Sequence, residues 1–163
     1  MVRANPQDVK KRKRADPRYV ALRFLAIRPR SIQELTTRLN RKEFSDAQVA
    51  GVVRELIEQG LLDDAQFSHA LIEQTVARKP VGQRLLQWKL RRMQVPPAVA
   101  EAVLAQALPH EREAALARAA MKEKLAELAR RPAPASPEDL RARVGRFLLS
   151  RGFAPSLVRE VLE

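Results

Sequence analysis

Residues Ser31 to Phe67 read SIQELTTRLN RKEFSDAQVA GVVRELIEQG LLDDAQF. Apolar residues at Leu35 and Leu39, then at Val49, Val52, Val53, Leu56 and Ile57, recur at the three-to-four spacing that predicts two consecutive amphipathic helices. Each helix carries a start signal. Ser31 with Glu34, and Ser45 with Gln48, both read as capping boxes, in which two side chains satisfy each other's free backbone N–H groups. Gly60 is expected to stop the second helix in the left-handed conformation. Leu61-Leu62-Asp63-Asp64 then forms a short apolar hook and a fresh acidic cap before another helix. The helix pair reads as a repeated unit.

Working outward, the apolar pattern recurs at a shift of 51 positions, where Leu35, Leu39, Phe44, Val52 and Val53 fall on Leu86, Leu90, Val95, Val103 and Leu104. Pro96-Pro97 start the last helix there as Ser45-Asp46 start its counterpart. A further shift of 58 reaches Val144, Leu148, Phe153, Val161 and Leu162, with Pro155 at a helix start. A helix precedes each pair, at Tyr19 to Ile27, Asp64 to Arg78 and Glu111 to Arg130. The fold expected is therefore all-α, three tandem three-helix repeats forming an elongated, curved array. The predicted boundaries are a flexible basic arm at 1–16 and repeats at 17–62, 63–109 and 110–163, the last interrupted by a proline-rich break at 131–136.

Composition narrows the function classes. Thirty-one Lys and Arg against nineteen Asp and Glu give a net charge of +12, which points to a polyanionic partner without separating DNA, RNA and acidic protein. Ten of the basic side chains, against two acidic ones, lie in the first thirty residues. The run Lys10-Lys11-Arg12-Lys13-Arg14 reads either as a phosphate-binding arm or as a solvated tail. The absence of cysteine excludes disulfides, thiolate metal sites and thiol catalysis. No membrane span or signal-peptide core is present in the sequence, so a cytoplasmic protein is expected.

Arg28-Pro29-Arg30-Ser31 followed by Glu34-Leu35, the segment LIEQGLLDD from Leu56 to Asp64 with Phe67 behind it, and Gly82 ahead of a basic helix ending Leu90-Arg91-Arg92 resemble the RecX family of RecA regulators. The resemblance runs from about Ala21 to Leu108 and returns at Arg151-Gly152-Phe153. Glu43 stands where the family often has glycine, and Met93-Gln94 replaces its usual Lys-Gly. What the resemblance implies is a non-enzymatic, monomeric modulator without cofactor or membrane. It would bind the groove of the RecA filament and single- and double-stranded DNA, and inhibit ATPase, strand exchange and coprotease activities in recombination and the SOS response.

The residues themselves offer little chemistry. Gly51, Gly60, Gly82, Gly145 and Gly152 are too scattered for a phosphate-cradling loop. His69 and His110 lack partners at ligand spacing, and Asp63-Asp64 reads as a helix cap before it reads as a metal pair. What remains is charge in register. At about 100° per residue, Arg38 and Arg41 hold the same angles to Leu35 as Lys89 and Arg92 hold to Leu86. These four are either a basic stripe facing phosphates or an acidic groove, or long side chains that merely flank the core. Trp88 lies opposite Leu86 and Leu90, either to meet a partner or base or to pack on the next repeat. The alternative function is a helix-turn-helix DNA-binding regulator of winged type. It requires two short strands after Leu62, where the pattern instead predicts a helix.

Overall fold

The computed structural model describes residues 16–130 and 136–163. The basic run Lys10, Lys11, Arg12, Lys13 and Arg14, and the proline-rich break apart from Ser136, lie outside the described residues. The chain forms α1 (Pro17–Ile27), α2 (Ile32–Asn40), α3 (Asp46–Glu58), α4 (Asp64–Arg78), α5 (Gln83–Arg92), α6 (Pro97–Ala107), α7 (His110–Leu128), α8 (Pro137–Ser150) and α9 (Pro155–Leu162). No strand occurs among the described residues. Helix α4 fills the place after Leu62 where a wing would have to stand.

Two compact units result, one reaching Phe67 together with Met93–Val95, the other comprising Ser68–Arg92 and Pro96–Glu163. In the first, Leu35, Leu39, Val49, Val52 and Leu56 form a core with Ala21 and Leu62. The second carries a core of Ala114, Ala117 and Ala120 from α7 against Val144, Leu148, Phe153, Leu157 and Val158. Alanines three apart on α7 leave no bulk along that face, so the aromatic ring of Phe153 is fully enclosed. Each fully buried Leu or Phe in these cores contributes about 1.5–3 kcal/mol.

The ends of the helices follow the local chemistry. Ser45 and Gln48 form the reciprocal capping box expected at α3. At its other end Gly60, φ +68°, closes a Schellman turn, with Gly60 N–H donating to Ile57 O and Leu61 N–H to Leu56 O. The α2 start differs from expectation. Ser31 Oγ does accept from Glu34 N–H at 3.1 Å, but the Glu34 carboxylate does not reach back, because three arginines hold it elsewhere.

The same register meets a left-handed residue three times: Glu43 at φ 62°, Gln94 at 59° and Gly152 at 85°. The sharp turn after the second helix of each repeat is thus kept even where a side chain replaces glycine, at the steric cost of an L-residue in that conformation. Glu43→Gly and Gln94→Gly should each stabilise the chain by about 1 kcal/mol and raise the melting midpoint by roughly 3 °C, measured by calorimetry.

Candidate nucleic-acid interface

The Arg-Pro-Arg-Ser-x-x-Glu stretch between α1 and α2 builds an ionic hub around Glu34. Its Oε1 accepts from Arg28 Nη2 at 2.7 Å, Arg30 Nη1 at 2.5 Å and Arg38 Nε at 3.0 Å. Arg30 also donates to Phe24 O at 3.2 Å, and the guanidinium groups of Arg30 and Arg38 lie 5.6 and 5.8 Å from the centre of the Phe24 ring. The Arg30 side chain is only 4% exposed and that of Glu34 12%. Burial alone would raise the Glu34 pKa, but the bonds from Arg38, Arg30 and Arg28 outweigh it and hold it below the ordinary carboxylate value. This hub ties the end of α1 to the start of α2.

The two adjacent aspartates separate into two caps. Asp63 Oδ1 accepts from the N–H groups of Ala65 and Gln66 at 2.8 and 2.9 Å, capping its own helix. Asp64 is buried and accepts from Ile32 N–H at 2.9 Å, capping α2. Its pKa is raised, first by burial and also by neighbouring Asp63, against the lowering effect of the Ile32 bond. The second unit repeats the device with Glu113, whose Oε1 accepts from Gln83 N–H at the start of α5 at 2.8 Å. Among the described residues no group of three or more His, Asp or Glu could hold a metal ion. His110 meets Glu160 at 3.3 Å on an exposed surface.

Of the predicted basic residues, Arg38 and Arg41 belong to the first unit, Lys89 and Arg92 to the second. Their register is preserved but their surroundings differ. Arg38 is held by Glu34, while Arg41 is exposed at the end of α2. Lys89 is half-buried beside a cleft in the second unit, and Arg92 is exposed with its guanidinium 4.9 Å from the centre of the Trp88 ring. Trp88 itself is 49% exposed.

The sequence reading missed how two of its scattered glycines are used. Gly82 N–H donates to Arg151 O at 3.0 Å, and Arg84 N–H to Gly152 O at 3.1 Å. The Gly82 α-carbon faces the backbone of Gly152 and Phe153 with no room for a Cβ. The corresponding contact in the first unit is made by a side chain, Ser31 Oγ donating to Met93 O at 2.5 Å. Shifts of 51 and 58 carry Ser31 to Gly82 and Met93 to Arg151, so one joint is built twice with different atoms.

A fold of tandem three-helix groups, charged on its surface and without clustered catalytic side chains among the described residues, defines an all-helical repeat protein. The family description "RecX, first three-helix domain" matches residues 18–56, and "RecX, third three-helix domain" matches residues 111–162. Regulatory protein RecX of Thermobifida fusca is 32% identical over 160 residues, covering 98% of this chain and 84% of that protein. Its counterpart in Chlorobium limicola is 37% identical over 86 residues, and there the match spans only 54% of the relative's length. The chain belongs to the RecX family of regulatory proteins. Its fold is similar to the crystal structure of RecX from Lactobacillus salivarius, with a TM-score of 0.81 at 13% identity over 93% of this chain and 96% of that one. No helix among the described residues is long and apolar enough to cross a membrane.

Proposed function

We propose that this chain is a non-enzymatic, cytoplasmic modulator of the RecA recombinase. It binds the RecA–DNA nucleoprotein filament as a monomer, contacting protein and DNA together. Binding inhibits ATPase, strand exchange and coprotease activities, and so regulates recombination and the SOS response. The observation that carries this reading is membership of the RecX family across both terminal three-helix domains. The net charge of +12 agrees with a partner that carries phosphates, and Arg38, Arg41, Lys89, Arg92 and Trp88 are the described residues assigned to it. The winged-helix alternative is disfavoured because α4 begins at Asp64, immediately after the hook. In a co-pelleting experiment with RecA filaments on single-stranded DNA, the chain should sediment with the filament and remain in the supernatant with RecA alone. Equal recovery in both pellets would contradict filament recognition.

A further inference from the structure

The first two repeats treat one position in opposite ways. Moving 51 residues along the chain carries Arg28 to Lys79, Arg38 to Lys89 and Glu34 to Leu85. In the first repeat two of the arginines that close on a carboxylate are therefore Arg28 and Arg38. In the second repeat both cations are kept as lysines, and the carboxylate between them is replaced by an uncharged side chain. Ile27 moves to Arg78, which adds a further charge.

The structure shows what this exchange leaves behind. Arg78, Lys79, Lys89 and Arg151 line one cleft of about 440 Å³ with Val81 and Leu85, and no carboxylate is among its lining residues. Among the described residues none of the four cations forms an ion pair. Arg151 is oriented by its own fold, with its guanidinium 4.7 Å from the centre of the Phe147 ring and one weak bond to Pro80 O at 3.4 Å. Four cationic residues lining one cleft without a counter-ion make it positively charged, which favours the entry of an anion.

We infer that this cleft is a phosphate-binding site for a nucleic-acid strand, in which an external anion takes the place that Glu34 occupies in the first repeat. Four cations exceed what one acidic side chain neutralises and suit consecutive backbone phosphates. The helix beside the cleft favours nucleic acid over an acidic peptide. At about 100° per residue, Lys89, Leu85, Arg92 and Trp88 occupy one arc of α5, so the half-exposed indole, already stacked by Arg92, adjoins the cations as a platform for a base. The inference rests on the nucleic-acid part of the proposed function and adds the residues that meet the phosphates.

The internal comparison supplies its own test. Leu85→Glu should rebuild the Glu34 arrangement and fill the site with a tethered carboxylate, whereas Leu85→Gln keeps the shape without the charge. Binding of a fluorescein-labelled oligothymidylate, followed by anisotropy without RecA, is then measured against salt. For two lost phosphate contacts the log–log slope should flatten by roughly 1.4, which is about 25-fold weaker binding near 0.1 M salt. Leu85→Gln should bind within about twofold of wild type, as no phosphate contact is removed. The double variant Lys79→Gln, Lys89→Gln removes two of the four cations with little change of side-chain length and should match Leu85→Glu. Wild-type slopes in both Leu85→Glu and the double variant would overturn the assignment, as would variants that lose polyglutamate binding while keeping the oligonucleotide. Because RecA is absent from the assay, failure here leaves the filament reading to be judged by co-pelleting.

Discussion

Replacing Gly82 with alanine should destabilise the second unit by about 4 kcal/mol, from overpacking and the loss of two backbone hydrogen bonds. A Cβ at Gly82 would fall on the carbonyl of Gly152 and the amide of Phe153. Both are main-chain atoms fixed by the turn after α8, so no flexible side chain can yield. The same displacement breaks the bonds from Gly82 N–H to Arg151 O and from Arg84 N–H to Gly152 O. A domain typically has only about 5–15 kcal/mol in hand, so the shift in urea midpoint should be large. Gly51→Ala is the internal control. Nothing lies within 4 Å of a Cβ at that position in α3, and the substitution should stabilise the helix by up to about 1 kcal/mol. Equal effects of the two substitutions would refute the backbone joint.

Glu34→Gln should cost about 3 kcal/mol at neutral pH, because it strands the buried Arg30 guanidinium without its counter-charge. Phe24 O and the Phe24 ring still receive that guanidinium, which places the loss at the lower end for a broken buried pair. The pH dependence has a definite sign. Glu34 is held below its ordinary value of 4.5 in the folded chain, so its contribution is complete above that value and disappears as pH falls through the folded pKa. The stability gap between wild type and Glu34→Gln should therefore be full at neutral pH and close in acid. Asp64 acts in the opposite direction, since its raised pKa makes the folded state the better proton binder and stability falls as pH rises through its window. Urea titrations of the two proteins across the acid range separate these contributions. A gap that persisted unchanged in acid would show that Glu34 acts through packing and not through charge.

The helices were legible because their signals are local. Apolar spacing placed α4 at Asp64–Arg78 without error, and Ser45, Gly60, Pro97 and Pro155 each mark a boundary by a property of the residue itself. Glu34 shows where local reading ends. Its spacing from Ser31 is that of a capping box, yet Arg28, Arg30 and Arg38 compete for the carboxylate and offer charge where the box offers one neutral N–H. The choice depends on where α1 delivers two arginines, which no three-residue spacing encodes. Asp64 and Glu113 were hidden for the same reason, each capping a helix some thirty residues distant.

For the basic residues the register was legible and the surroundings were not. The equal angles of Arg38 with Lys89 and of Arg41 with Arg92 follow from the sequence, but an angle says nothing about neutralisation. Only the structure shows Arg38 tied to a carboxylate while Lys89 lines a cleft that has none. A signal was nevertheless present in the sequence: the repeat shift that aligns the basic residues also aligns Glu34 with Leu85.

The most direct test of the regulatory role is ATP turnover by the RecA of the same host on single-stranded DNA, measured as this chain is added. The chain alone should hydrolyse no ATP, and saturating amounts should suppress turnover by the filament. Unchanged turnover at saturation, with the chain shown to be folded, would contradict the account.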